Sequence, residues 1–383
     1  MSTMPGRFPE CLETVYTAAD RAGLPLTPIH WELVSASTLG HLMAYDGLPT
    51  RYPHWTFGQN WSQRNAVMAA LELVVYDDPI VAFVDARLDP VVTLMIIAHV
   101  LGHAAIFHRH RAFRAVPPGQ LLRSRQLRAL VQTYQAQMGI ESAEAFLDAA
   151  QVLAECSTPD SDVLGFCIHH ASHLTALEDT ILRALHQEAC YFLPLQQTKL
   201  LHEGYATFWH RRILHDLTLG TPAFFPFLQQ HTQVLSGPGH PLHPYRDGDA
   251  LIRAVIAQSG GLQALDSLIT SGTDAMLLHR YWTPTPESMS TLAKETFPDP
   301  NDDPMVLKSA IIDRIVHPAP PITVDSATTQ TTGHLQLRTP TFPRDLDQPR
   351  LQAALHCVAQ SLWRAPVTLI SEVSSDRWTA NPA

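Results

Sequence analysis

The sequence predicts a mostly helical α+β protein: a large helical domain entered through two short edge strands, then a small C-terminal ββαβ unit. Three observations predict it. Helical spacing dominates residues 90–278, residues 71–86 hold two β-rich runs about a tight turn, and after Pro318 strand-like runs flank a single helix. The expected domains are therefore residues 1–317 and 318–383.

The elements follow in order. Residues 11–22 have helical spacing and stop at Gly23. Residues 46–60, DGLPTRYPHWTFGQN, make a turn-rich loop with a dense aromatic centre. LELVVY (71–76) and IVAFVDA (80–86) read as strands joined at Asp77, Asp78 and Pro79. Asp89 and Pro90 then supply an N-cap and a first-turn proline for a helix. Its apolar run, VVTLMIIAHVLGHAAIF (91–107), is short for a membrane span and carries two histidines, so it reads as a buried core helix. Helical spacing resumes over 121–155, 174–192 and 196–219, with a break at 158–165 and stops at Pro194 and Gly220. Near the end, ITVDSATT and HLQLRT read as strands, RLQAALHCVAQSLW as a helix and VTLISEV as a further strand.

Composition narrows the class. Of 383 residues, 45% are hydrophobic and only 16% charged, which suits a substantial core. The formal charge is −10 and no Lys/Arg cluster interrupts it, so no nucleic-acid partner is expected. The first residues show no secretory pattern and no membrane span is expected, which points to the cytoplasm. The five cysteines are scattered without a CxxC pair, against a disulfide framework or a cysteine zinc site. The 21 histidines are an excess, and only spacing can select the few that matter.

His99 and His103 are four apart on a helix, so both imidazoles project from one face, as in the metal-binding helix of zincins. HxxxH alone is a weak signal in so histidine-rich a chain. It gains weight from LHEGYATFWH (201–210), which resembles the helix that supplies the glutamate ligand in gluzincin metallopeptidases. Two His and one Glu form a catalytic zinc set that leaves a position for water. His99, His103 and Glu203 are thus the expected ligands, and two strands, an HxxxH helix and a later Glu helix follow the zincin order. One feature departs: Val100 stands where HExxH enzymes place their water-activating glutamate. Glu72 on the preceding strand either supplies that base or orders the histidines as an acceptor. His210 lies seven residues after Glu203 and about 10 Å along the same face. It is a proton donor, a supporting group, a ligand to a second metal, or a core histidine. His54, within Tyr52-Pro53-His54-Trp55, either plugs the core or lines a pocket that holds a cofactor. His169, His170 and His173 read as solvated, and His108 and His110 as the fraying end of the first helix.

The stretches GLPTRYPHWTFG, IAHVLGHAAIF, YFLPLQQTKLLHEGYATFWHRRI and LQQHTQVLSGPG resemble the signature segments of the SpoVR (stage V sporulation protein R-like) family, in the same order over nearly the whole chain. LHPYRDGDALIRAVI resembles that family's Asn-Pro-Tyr segment. The resemblance implies a bacterial, cytoplasmic protein of zincin-like core, linked to sporulation or stress, and adds His231 and Tyr245 to the matched positions. His202 stands where the family has asparagine before Glu-Gly, and His243 replaces the asparagine of Asn-Pro-Tyr.

The expected function is metal-dependent hydrolysis of an amide-type bond in a peptide or cell-wall fragment. One divalent metal, zinc first and Fe(II) second, would sit on His99, His103 and Glu203. Glu72 or His210 would handle protons, and His231 or Tyr245 would steady an oxyanion. The alternatives are an iron-dependent, oxygen-using enzyme and a non-enzymatic regulator with a structural metal. The expected partner is a small-molecule or peptide substrate, with room for a protein partner.

Overall fold

The computed structural model describes residues 7–57, 71–157, 161–217, 219–236, 242–283, 304–316, 321–340, 348–374 and 376–382. The chain divides into two units that alternate along the sequence. One comprises Met1–Pro49, Thr56–Leu121 and Leu193–Leu292, the other Thr50–Trp55, Leu122–Phe192 and Ala293–Ala383. Residues 318–383 fall in the second unit, and residues 1–317 are shared between the two.

The first unit carries a three-stranded sheet in the order β1-β3-β2, with β1 at Ile29–Val34, β2 at Glu72–Val75 and β3 at Ile80–Asp85. β2 and β3 form the expected antiparallel pair, with Glu72 opposite Val84. β1 is an addition: it runs parallel to β3, with Ile29 opposite Ile80, so β3 is central rather than an edge. The nearly unbroken apolar run of β3 suits a strand with neighbours on both sides, whereas β1 is half exposed and its pattern is weak.

Helix Pro90–Arg109 is the core of this unit, with nearly every residue from Val91 to Phe107 buried. Among the described residues it is the one helix long and apolar enough to cross a membrane, and 89% of its apolar window is buried inside the structure. Asp89 occupies the N-cap position, but its side chain makes no cap bond. At the other end His108 is exposed but still helical, whereas His110 is buried and bonded through Nε2 to the Gly272 carbonyl at 2.9 Å, so that end is anchored rather than frayed. Helix Lys199–Asp216 packs between this helix and Pro244–Ser259. Small residues make both contacts close: a Cβ on Gly102 would lie 2.6 Å from Ala206 Cα, and one on Gly204 would lie 2.2 Å from the Gly248 carbonyl carbon.

Helix Lys199–Asp216 starts at Thr198, whose hydroxyl is committed to the Pro194 carbonyl. Its cap comes instead from Asp274, which accepts the Leu200 and Leu201 amides at 2.8 and 2.9 Å. Those amides are orphaned by helix geometry, and a buried carboxylate satisfies two of them.

The second unit joins helices to a four-stranded sheet in the order β4-β5-β6-β7: Thr323–Val324, Leu335–Thr339, Val367–Ser371 and Arg377–Ala380. β5 and β6 are parallel and are connected through helix Gln348–Cys357 and a π-helical turn, Val358–Trp363, as a parallel pair requires. Two differences from the expected ββαβ unit stand out. ITVDSATT is a two-residue strand followed by helix Ser326–Thr332, because Asp325 accepts the Thr328 amide as an N-cap. A final strand, β7, extends the sheet. Helix Ala176–Gln197 also continues through Pro194 instead of stopping there.

Candidate metal centre

Helix periodicity brings His99 and His103 onto one face of Pro90–Arg109, and their Nε2 atoms lie 3.1 Å apart. The close crossing at Gly102 and Ala206 lets the second helix bring Glu203 to the same point. Glu203 Oε2 is 3.3 Å from His99 Nε2 and 3.6 Å from His103 Nε2. Among the described residues these are the three donors gathered within 4.8 Å of one another. His99 is 2% exposed and His103 9%.

The set fits a divalent ion. Glu203 Oε2 is buried and makes no well-formed hydrogen bond among the described residues. Two imidazole nitrogens and a carboxylate oxygen that converge on one point are the donors that zinc or ferrous iron takes.

Glu72 approaches from β2, its Oε1 3.8 Å from His99 Nε2. Strand alternation turns Glu72 and Val74 to one face. The Tyr245 ring stacks on His99 at 5.8 Å, and its hydroxyl faces the Glu203 carboxylate. Behind the donors stands a row of histidines. His99 Nδ1 is 3.1 Å from His210 Nδ1, and His210 Nε2 is 2.9 Å from His231 Nδ1. His103 Nδ1 is 3.1 Å from His202 Nδ1.

The charges follow from this burial. Burial pushes the Glu72 carboxyl up, Glu203 adds to the rise and His99 opposes it. Burial also opposes the ionised form of Glu203, but the facing His99 and His103 rings and Lys199 outweigh it and hold the carboxyl below its ordinary range. His99 is raised: burial works against its charge, while Glu203 and Glu72 more than compensate. His103 is driven down to about 4 by burial against the pull of Glu203, with His99 adding to the fall. His202 and His210 lie well below the usual imidazole value, through burial and then through neighbouring imidazoles. Tyr245 is raised well above the phenol range, first by the Glu203 charge and then by burial.

The structure therefore brings Glu72, Glu203 and Tyr245 to the His99–His103 pair, with His210 behind His99 and His231 behind His210. His210 supports His99 and does not join the three donors. His54 lies in the second unit, its Nε2 3.2 Å from Asp148 and 3.5 Å from Glu144. His169, His170 and His173 are exposed. His202 was not among the expected site residues. Its position beside Glu203 was the available signal, but a helix carries adjacent residues about 100° apart.

A family model described as SpoVR like protein matches residues 6–157 and 153–261. The chain is also similar to the uncharacterized protein YcgB of Escherichia coli (strain K12), 21% identical over 301 residues. That alignment covers 60% of this chain and 59% of YcgB, so the chain spans about three fifths of its relative's length. No solved structure matches.

Proposed function

The chain belongs to the SpoVR-like family, and from that premise and its converging donors we propose a metal-dependent hydrolase that acts on an amide-type bond. The observation that carries the reading is the approach of His99 Nε2, His103 Nε2 and Glu203 Oε2, with that oxygen buried and otherwise unsatisfied. A divalent ion held by these residues, zinc first, would polarise a carbonyl and bring the pKa of a bound water toward ~7.

The surrounding residues supply the proton chemistry. Glu72 reaches the donor side of His99 from β2 and takes the role that Val100 cannot fill. Its raised carboxyl is a better match to a base working near neutrality. Tyr245 stays protonated and offers its hydroxyl to charge developing on a substrate oxygen. His210 and His231 support His99 from behind. The substrate class is a peptide or cell-wall fragment, met in the cytoplasm.

The test is elemental analysis of protein purified without added metal, paired with hydrolysis of a peptide and muropeptide panel. The expected result is one zinc in wild type and in Glu72→Gln, none in Glu203→Ala, and hydrolysis lost in both variants. Iron with air-dependent turnover would replace the hydrolase by an oxygen-using enzyme. Metal retained with every function indifferent to Glu72→Gln would leave the ion a structural role.

A further inference from the structure

We infer that His202 and His210 are positioning residues that fix which nitrogen carries the proton on the two ligand histidines, an inference that rests on the metal reading above. A neutral imidazole has one donor nitrogen and one acceptor nitrogen. To face an ion with its Nε2 lone pair, each ligand ring must keep its proton on Nδ1.

Both Nδ1 atoms meet a second imidazole. His99 Nδ1 donates to His210 Nδ1 at 3.1 Å, which leaves the His210 proton on Nε2, where it is donated to His231 Nδ1 at 2.9 Å. His103 Nδ1 donates to His202 Nδ1 at 3.1 Å, which puts the His202 proton on its own Nε2. That atom is buried and has no hydrogen-bond partner among the described residues. The His202 ring is packed between the Phe107 and Phe113 rings, whose centroids are 4.7 and 5.3 Å from its own. An N–H tolerates the face of an aromatic ring better than a bare lone pair does. The apolar wall therefore keeps the proton on Nε2 and leaves Nδ1 of His202 free to accept. The opposite arrangement would set two N–H groups head to head at 3.1 Å, or take the lone pair of His103 away from the site.

The second histidines thus serve this centre as neutral acceptors, beside the backbone bond that His99 also makes with Ala206. The two arms differ: one continues to His231, and the other ends against phenylalanine. An asparagine can stand in for the acceptor, because its side-chain oxygen reaches about where Nδ1 of histidine lies.

The first measurement is made on the metal-free full-length protein with 15N-labelled histidine. Nitrogen–nitrogen coupling across the hydrogen bonds should link His99 to His210 and His103 to His202, with protons on Nδ1 of His99 and His103. A proton found only on Nε2 of either ligand ring overturns the inference whether or not metal binds. The second is zinc affinity by chelator competition. His202→Ala and His210→Ala should weaken binding by about 10- to 100-fold, and His202→Asn should recover most of the loss. Wild-type affinity in folded His202→Ala and His210→Ala, or no recovery in a folded His202→Asn, overturns it. A wild type that binds no zinc sinks the metal reading, while the coupling measurement still decides the ring protonation.

Discussion

Gly102 lies against the backbone of Ala206, so close that a methyl group added to it would stand 2.6 Å from the Ala206 Cα. That crossing joins the helix of the two histidines to the helix of the glutamate. Gly102→Ala must part the two helices, and its effect should fall on the metal before the fold. We expect a stability loss of about 1–3 kcal/mol and a larger proportional loss of zinc affinity. Chemical denaturation and chelator competition measure the two. Gly261→Ala, where an added Cβ meets nothing within 4 Å, is the control and should leave both unchanged.

Asp274 connects the same site to pH. Burial pushes its carboxyl up to about 7 against the donors from Leu200 and Leu201. The unfolded value is about 3.9, so the folded chain holds the proton more tightly. The contribution of Asp274 to stability therefore falls as pH rises from about 4 to about 7, then stays level. Asp274→Asn should abolish that slope: the stability of wild type minus variant declines over this window in denaturation series. Asp274→Ala should cost on the order of 1 kcal/mol as a lost cap.

Glu178 in the second unit has the opposite sign. It accepts from the Thr175 amide at 2.8 Å and the Tyr134 hydroxyl at 2.8 Å, and it pairs with Arg364. Burial raises its carboxyl, but these partners outweigh it and hold the value below the ordinary range. Its stabilisation is present above the unfolded value of about 4.3 and is lost as pH falls through the folded value. Glu178→Gln should cost on the order of 2 kcal/mol near pH 7, because Arg364 loses its counter-charge. Thermal melts at stepped pH should show the two proteins converging in acid.

Much of the site was readable because its determinants are local. His99 and His103 share a face by helix periodicity alone, and Glu72 needed only strand alternation next to that helix. Glu203 followed from its Gly-aromatic-Ala context, and the small residues there turn out to be what lets the helices touch. The remainder depends on contacts distant in sequence. β1 joins the sheet through a parallel pairing across some fifty residues, which no local pattern announces. Asp274 caps a helix that begins 75 residues earlier. The bond between His103 and His202 depends on which face of the second helix turns inward, and that is decided by packing at Gly102 and Gly204.

Tyr245 offers the sharpest test of the chemistry. Its ring stacks on His99, so Tyr245→Phe keeps the packing and removes only the hydroxyl. Because the Glu203 charge and burial hold the phenol well above its ordinary value, the group is a hydrogen-bond donor throughout the working range. If it donates to a developing oxyanion, its loss should lower kcat by about 10²–10³, with KM, zinc content and melting temperature nearly unchanged. If it instead serves to orient the Glu203 carboxylate, the same variant should lose zinc affinity, and turnover per bound zinc should be preserved. Steady-state kinetics together with metal analysis on one preparation separates the two roles.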